Sequence, residues 1–538
     1  MKFKDKLKKQ TKQQLWQEYC GYLDISLSDY MYIQNQLLCE QLQLWTGCGL
    51  GKKILKDQVP QNVDEFRRMV PLTQYEDYAD VLLAKKADML PGEPAIWIQT
   101  TWEGGLRPIK LAPYTKAMLA TYQRNALTVM LLATSTAKGN FNIKKHYRML
   151  YGGAPLPYAT GLLPTLLDEE IPLVWLPNSN NEPGSSFGER IKKGFDMAFR
   201  GGVDYFFAIG SVANYITSNF AQGGNSPGKR RKVSLPIAIR YMRAKYICSR
   251  DKRELLPSDV FKLKGFVSTG NDASCYRDRL EKAWGITPTE IAAGTESTCI
   301  ASETWERNGM IFFPDACYYE FIPEEEMHRE QNNPAYMPRT YLMDEVKTGE
   351  EYELVISVFR GGAFMRYRIG DVYKCIDAGN GTTLPRFGYV DRAPHIIDIA
   401  GFTRISEASV QETINLSGLQ FVNWFAKKEF DANRNPYFHL YIELKLDDSE
   451  VKALSKQVLH EHLSAYFKYF DSDYSDLKKL LGIDPLKITI LKFGTMDAFE
   501  QRYDRKLQRM NPSDLDVAEI FKLHSIGEAM PVLGVDGR

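Results

Sequence analysis

Residues 367–373 read YRIGDVY. The alternation of apolar and basic residues around Arg366 and Arg368 predicts a strand, and Gly370 predicts a turn that delivers Asp371 to the strand end. A carboxylate there accepts two hydrogen bonds at once, and the vicinal hydroxyls of a ribose donate that pair. An aspartate that follows a glycine in an exposed hairpin has the same local sequence, so the surrounding chain must decide between the two.

Working outward, residues 350–400 carry YELVISVF, FMRYRIGDVYKCI, RFGYVDR and HIIDIAG, separated by turns such as DAGNGTT, which predicts a small antiparallel section. Upstream, AIWIQT, YTKAMLATYQRNALTVMLLAT, IPLVWLP, IKKGFDMAFR and VDYFFAIG alternate short apolar runs with longer amphipathic ones. That alternation predicts βα units around a mostly parallel sheet. The first 50 residues have apolar positions at helical spacing and end in TGCGLGKK, a glycine-rich stop. After Gly401 come a helical stretch (ISEASVQETINLSG), a strand (YFHLYIELKL), a long helix (SEVKALSKQVLHEHLSAYFKYF) and a strand (LKITILKFG). A chain of 538 residues exceeds what one core supports. The expectation is an α/β protein: a large N-terminal domain, 1–392, of βα units with a β-barrel-like antiparallel section, and a smaller α+β domain, 393–538.

Composition narrows the function. The 68 basic and 67 acidic residues nearly cancel, which argues against nucleic acid as a partner. The run GKRRK at 228–232 lacks interleaved aromatics and reads as a solvated loop. Eight cysteines form no CxxC pair, so they read as reduced, mostly buried thiols rather than a zinc site or disulfide framework. His460 and His462 fall on nearly opposite sides of a helix and cannot share one metal, and no GxSxG occurs. The basic start lacks an apolar core, and ALTVMLLA at 126–133 is too short to cross a bilayer, so the expectation is a cytoplasmic protein with no membrane partner.

Three further stretches give Asp371 company. TTWEGGLRPIKLAPYT at 100–115 combines two threonines, paired glycines and a lysine, and reads either as a phosphate-gripping loop that has lost its usual hydroxyls or as a polar turn. AAGTESTCIAS at 292–302 sets Thr295 and Glu296 after Gly294; the glutamate suits a magnesium ion bridging phosphates, or a first-turn position after a helix N-cap. FGYVDRAPHIIDIAGFTRISE at 387–407 puts Arg392 at the domain boundary, in reach of a ribose or phosphate or in a surface ion pair.

That order, a Gly/Thr loop, Gly-Thr-Glu, Arg-x-Gly-Asp, an arginine and a small C-terminal lobe, resembles the adenylate-forming enzymes. Within them the chain resembles the auxin-responsive Gretchen Hagen family of acyl-acid amido synthetases, as a divergent, non-plant form. FRRMVPLTQYEDYADVL at 66–82, LYGGAPLPYATGLLPTLL at 150–167 and LKFGTMDAFEQRYDRKLQRMNP at 491–512 are similar to segments of that family.

The resemblance implies two half-reactions: a carboxylic acid attacks the α-phosphate of ATP, with magnesium present, and the acyl-adenylate then passes its acyl group to an amino acid. It implies that Asp371 binds the ribose, Glu296 the magnesium, Thr295 a phosphate or acyl oxygen, and Arg392 the ribose or phosphate. Thr100, Thr101, Gly104, Gly105 and Lys110 are implied as the phosphate loop, Gly294 as part of the nucleotide cradle, and Lys506 or Arg509 as the C-terminal cation at the adenylate. A lobe rotation between the halves is implied as well. The sequence departs from the family at Trp102 and Glu103 in the phosphate loop, at Ala292, where the family has an aromatic, and at Pro394, near an acidic hinge position. An acid:CoA ligase and a non-catalytic adenylate-binding protein are the alternative readings.

Overall fold

The computed structural model describes residues 1–56, 58–100, 109–177, 187–223, 234–333, 335–392, 396–401, 403–445, 449–470, 477–478 and 481–526. They fall into two compact units, Met1–Thr101 with Ile109–Asp391, and a second that begins at Arg392.

In the first unit, β1 (Ile96–Gln99) and β2 (Leu111–Tyr114) form an antiparallel pair, with Gln99 opposite Leu111. The βα alternation produces β3 (Arg148–Gly152), β4 (Val174–Leu176), β5 (Tyr205–Ile209), β6 (Gly265–Thr269) and β7 (Thr289–Gly294). These five run parallel in the order β4-β3-β5-β6-β7. Most of their residues are apolar, without regular alternation, and all five of β6 are buried, as in strands covered on both faces. Phe206 and Phe266 stack at 4.7 Å across β5 and β6.

The same sheet continues with β8 (Thr298–Glu303), β9 (Met310–Phe312), β10 (Cys317–Pro323), β11 (Glu351–Val358), β12 (Tyr367–Asp377) and β13 (Arg386–Arg392), giving eleven strands ordered β10-β11-β12-β13-β9-β8-β7-β6-β5-β3-β4. The pairs β7/β8, β8/β9, β9/β13, β10/β11 and β11/β12 are antiparallel. The antiparallel half therefore begins at the β7–β8 hairpin, ahead of the 350–400 segment where the turn signals place it. Every residue of β8, β9 and β10 is buried, so those strands lack the apolar–polar alternation that marks a half-exposed strand.

In the second unit, β14 (Ile396–Ile399) pairs antiparallel with β15 (Thr403–Ser406). Ser406 caps the helix Glu407–Leu416 by accepting from the Ser409 N–H. β16 (Phe421–Phe430) pairs antiparallel with β17 (Pro436–Leu444), which lies parallel to β18 (Leu486–Leu491). Phe425, Tyr441, Leu491, Met496, Phe499 and Ile520 form a core of this unit.

Candidate active site

β12 does not end at Gly370. Its register with β11 shifts between the pairs Val355–Arg368 and Glu353–Val372, so Ile369, Gly370 and Asp371 stand opposite Leu354 alone. The expected strand-end turn is a bulge inside a strand that runs on to Asp377. Gly370 makes it feasible with φ +79°, a conformation that costs glycine nothing. Bulges re-aim side chains and cluster beside functional sites, and this one carries Asp371.

The two arginines flanking Tyr367 are committed to the fold. Arg366 precedes β12 with φ +42°. Its guanidinium makes two bonds of 2.9 Å to the Glu320 carboxylate and donates to the carbonyls of Arg67 at 2.6 Å and Val70 at 2.7 Å. Arg368 pairs with both oxygens of Glu353, at 2.8 and 2.6 Å, and with Glu330 at 2.6 Å. Thr73 completes the bracket: its N–H donates to the Arg366 carbonyl and its own carbonyl accepts from the Arg368 N–H, each at 2.9 Å. The segment FRRMVPLTQ thus braces the start of β12.

Tyr367, between these arginines, links distant stretches. The Lys110 ammonium donates to its hydroxyl at 3.3 Å, and that hydroxyl donates to Glu296 Oε1 at 3.3 Å. Lys110 Nζ also lies 5.4 Å from the centre of the Tyr75 ring. The Tyr75 hydroxyl donates to the Leu111 carbonyl at 3.2 Å and accepts from the Leu111 N–H at 2.7 Å, fixing the backbone next to Lys110. The Thr100 N–H donates to the Lys110 carbonyl at 3.0 Å, so the two residues that bracket the expected phosphate loop are tied together.

Thr295, Glu296 and Ser297 form the hairpin turn between β7 and β8, with Gly294 opposite Thr298. The helix N-cap alternative therefore fails, because the chain reverses into an antiparallel strand. Tyr114, fully buried at the end of β2, donates to the Thr295 carbonyl at 2.7 Å. Burial, and then the neighbouring Glu296 carboxylate, push the Tyr114 phenol well above its ordinary range, so it stays a donor. Glu296 is 7% exposed. A Cβ at Gly294 would lie 3.0 Å from Ser297 Oγ and 3.3 Å from Ile369 Cδ1, so the turn packs directly on the β12 bulge. The Ser297 hydroxyl is buried without a hydrogen-bond partner among the described residues.

Lys110, Gly294, Thr295, Glu296 and the bulge bearing Asp371 are thereby neighbours in the first unit, with Thr100 bonded to Lys110. Arg392, Lys506 and Arg509 belong to the second unit. There Arg392 Nε lies 3.9 Å from the fully buried Asp398 carboxylate, so its ion pair is internal rather than a surface one. Lys506 is exposed. Arg509 Nη1 lies 3.3 Å from Glu407 and the guanidinium sits over the Trp424 ring at 5.4 Å. Thr101, Trp102, Glu103, Gly104, Gly105 and Pro394 lie outside the described residues. Sequence reasoning missed Tyr75, Tyr114 and Tyr367, although Tyr367 opens the stretch that first drew attention and Tyr114 is the last residue but one of the loop segment.

Residues 310–392 match the GH3 family central domain, the auxin-responsive family. The match covers β9 to β13 with Tyr367 and Asp371, while Lys110 and Glu296 lie outside it. A jasmonoyl–L-amino acid synthetase of Nicotiana attenuata is 30% identical over 190 residues, 34% of this chain and 30% of that protein. An indole-3-acetic acid-amido synthetase of Arabidopsis thaliana is 24% identical over 206 residues, 36% of this chain and 32% of that protein. The aligned part thus spans about a third of the length of these curated relatives. The crystal structure of a 2-hydroxyisobutyryl-CoA ligase, in complex with 2-HIB-AMP and CoA, superposes over 93% of this chain and 94% of its own with a TM-score of 0.54 at 16% identity. That likeness establishes the fold, a mixed α/β architecture shared with that structure. The chain thus carries a match to the GH3 family central domain over residues 310–392 and is similar, over about a third of its length, to curated amido synthetases.

Proposed function

We propose that this protein is an ATP-dependent acyl-acid amido synthetase. A carboxylic acid attacks the α-phosphate of ATP and releases pyrophosphate; an amino acid amine then attacks the acyl carbon of the adenylate and releases AMP. The observation that carries this reading is Glu296, a carboxylate 7% exposed that has a single hydrogen bond of 3.3 Å among the described residues. A buried anion so thinly satisfied is costly unless a cation joins it. The donor set fits a magnesium nucleotide: Mg²⁺ takes one or two carboxylates and completes its shell with phosphate and water oxygens. When bound, the ion neutralises charge on the pyrophosphate.

The chain's own groups do the rest. Lys110 presents its ammonium to phosphate oxygens, held by Tyr367 and Tyr75, and Thr100 fixes its backbone. Asp371 accepts from the ribose hydroxyls, Thr295 donates to a phosphoryl or acyl oxygen, and side-chain-free Gly294 leaves room for the nucleotide. Positioning and fixed charge are sufficient for this chemistry, because the reacting groups carry it themselves. Arg392 is assigned to the ribose or phosphate, and Lys506 rather than Arg509 to the adenylate. The eight cysteines are all free, which supports a reducing, cytoplasmic setting. No helix among the described residues is long and apolar enough to cross a membrane.

A second reading, an acid:CoA ligase, is favoured by the fold match to a CoA ligase and shares the first half-reaction. Exchange of labelled pyrophosphate into ATP, across a panel of carboxylic acids, tests both. Acid-dependent exchange that disappears in Asp371→Ala is the expected result. ATP binding with no exchange for any acid would overturn catalysis and leave an adenylate-binding protein. Amide against thioester product, with amino acids and CoA supplied in parallel, separates the two enzymes.

A further inference from the structure

The helix Leu235–Arg250 has two apolar faces. Ile237, Ala244 and Cys248 are buried against the rest of the first unit. Leu235, Ile239, Met242 and Tyr246 point the other way and are 73, 53, 63 and 71% exposed. Among the described residues no other helix exposes more than two large apolar side chains. Exposed apolar residues scattered singly need no explanation, but a contiguous row does.

The spacing of the row is specific. Steps of four, three and four residues, at about 100° each, confine all four side chains to an arc of about 60°. That is a narrow heptad seam, the pattern that inserts between the side chains of a second helix. Arg243 and Lys245 flank it on opposite sides, Arg240 lies beyond, and the helix contains no acidic residue. All three cations are exposed, and none has an ion-pair partner among the described residues.

We infer that this face docks a helix of another protein, one with an apolar heptad seam flanked by acidic residues. The flanks exclude a second copy as the natural occupant, because pairing two such helices sets cations against cations. The width disfavours a lipid surface, since helices that lie in a membrane interface carry a broader apolar face. Charge complementarity then selects an acidic partner helix, and the seam sets its register.

The test uses the full chain and a fluorescent peptide about three heptads long, with Leu at the two seam positions and Glu on both flanks. Anisotropy should show saturable binding that weakens as salt is raised. Ile239→Asp with Met242→Asp should weaken it about tenfold or more, as truncation at an interface centre does. Arg243→Glu with Lys245→Glu should lose the Glu-flanked peptide and gain a Lys-flanked one. All four positions are exposed, so unchanged circular dichroism and pyrophosphate exchange will show that the variants fold. Failure of the Glu-flanked peptide to bind, or equal binding of both peptides, overturns the inference. A dimer in sedimentation that Met242→Asp dissolves overturns it in favour of a second copy. Co-sedimentation with phosphatidylserine vesicles that the same variant abolishes overturns it in favour of a lipid surface.

Discussion

Glu296 and Lys506 represent two ways of holding a charge. Glu296 sits on a tight hairpin turn whose carbonyl is pinned by Tyr114 at 2.7 Å, and its carboxylate is tied through Tyr367 to Lys110. Lys506 stands exposed on the stretch between the helix Thr495–Tyr503 and Met510. Three residues on, Arg509 anchors that stretch: its carbonyl accepts from the Ala426 N–H of β16 at 2.7 Å while its side chain meets Glu407 and Trp424. The difference teaches a division of roles. In the first unit strand geometry fixes the charged groups themselves, whereas in the second one cation anchors the loop and leaves its neighbour available.

The largest expected effect tests the confined side. Glu296→Gln should lower pyrophosphate exchange by about 10²–10³, the scale of losing one fixed electrostatic group at a phosphoryl-transfer site. Its melting temperature should stay level or rise, because an uncompensated buried carboxylate has been removed. A drop of several degrees with exchange retained would make Glu296 a structural residue. Arg366→Met probes what confines β12. It leaves the Glu320 carboxylate, which is 1% exposed, with only Arg67 Nε at 3.4 Å and the Thr340 hydroxyl at 2.7 Å among the described residues, and should cost about 3 kcal/mol in denaturant titration of the first unit. A loss under about 1 kcal/mol would show that the segment from Arg67 to Thr73 braces the strand without it.

The open side predicts smaller and separable effects. Lys506→Ala should reduce product formation about tenfold to a hundredfold with no change in melting, in the range of positioned catalytic side chains. Arg509→Ala should instead lower the stability of the second unit by about 1 kcal/mol, through the lost ring contact and ion pair. If the two variants exchange these signatures, the assignment of anchor and available cation is reversed.

These contrasts also explain what the sequence made legible. Asp371, the Gly-Thr-Glu turn and the βα order could be read because each is a local pattern. The links between them could not: Tyr114 meets Thr295 across 181 residues, and Tyr367 meets Glu296 across 71. Arg366 and Arg368 look like ligand cations in one dimension, and only the fold supplies Glu320, Glu353 and Glu330 to occupy them. β8 to β10 escaped notice because burial on both faces removes the alternation that marks a strand. Gly370 was legible as a backbone irregularity, but whether it ends a strand or bulges it depends on the partner β11.

The last comparison sets two carboxylates, one in each unit, against each other. Burial, with Glu303 adding its charge and Arg277 offsetting part of it, pushes the Glu290 carboxyl on β7 up to about 7. Burial also works against the charge of Glu429 on β16, but hydrogen bonds from His439, Tyr441 and Tyr437 outweigh it and bring that carboxyl down to about 2. The signs follow from proton linkage. Between the unfolded value near ~4.3 and about 7 the folded chain holds a proton on Glu290 that the unfolded chain has released, so stability around β7 falls as pH rises through that window. Glu429 stabilises its sheet at all pH values above the unfolded carboxyl value and loses that contribution as pH falls toward about 2. Each contribution is on the order of 2 kcal/mol after allowance for solvent screening. Because the two units need not unfold together, hydrogen exchange resolved by strand is the measurement of choice. After correction for intrinsic rates, protection of β7 should decline from pH 5 to pH 7 while that of β16 and β17 holds level, and Glu290→Gln should flatten the β7 profile. Protection of β7 that grows over this range would mean that Arg277 outweighs burial and Glu303, and that Glu290 is held as an anion like its counterpart in the second unit.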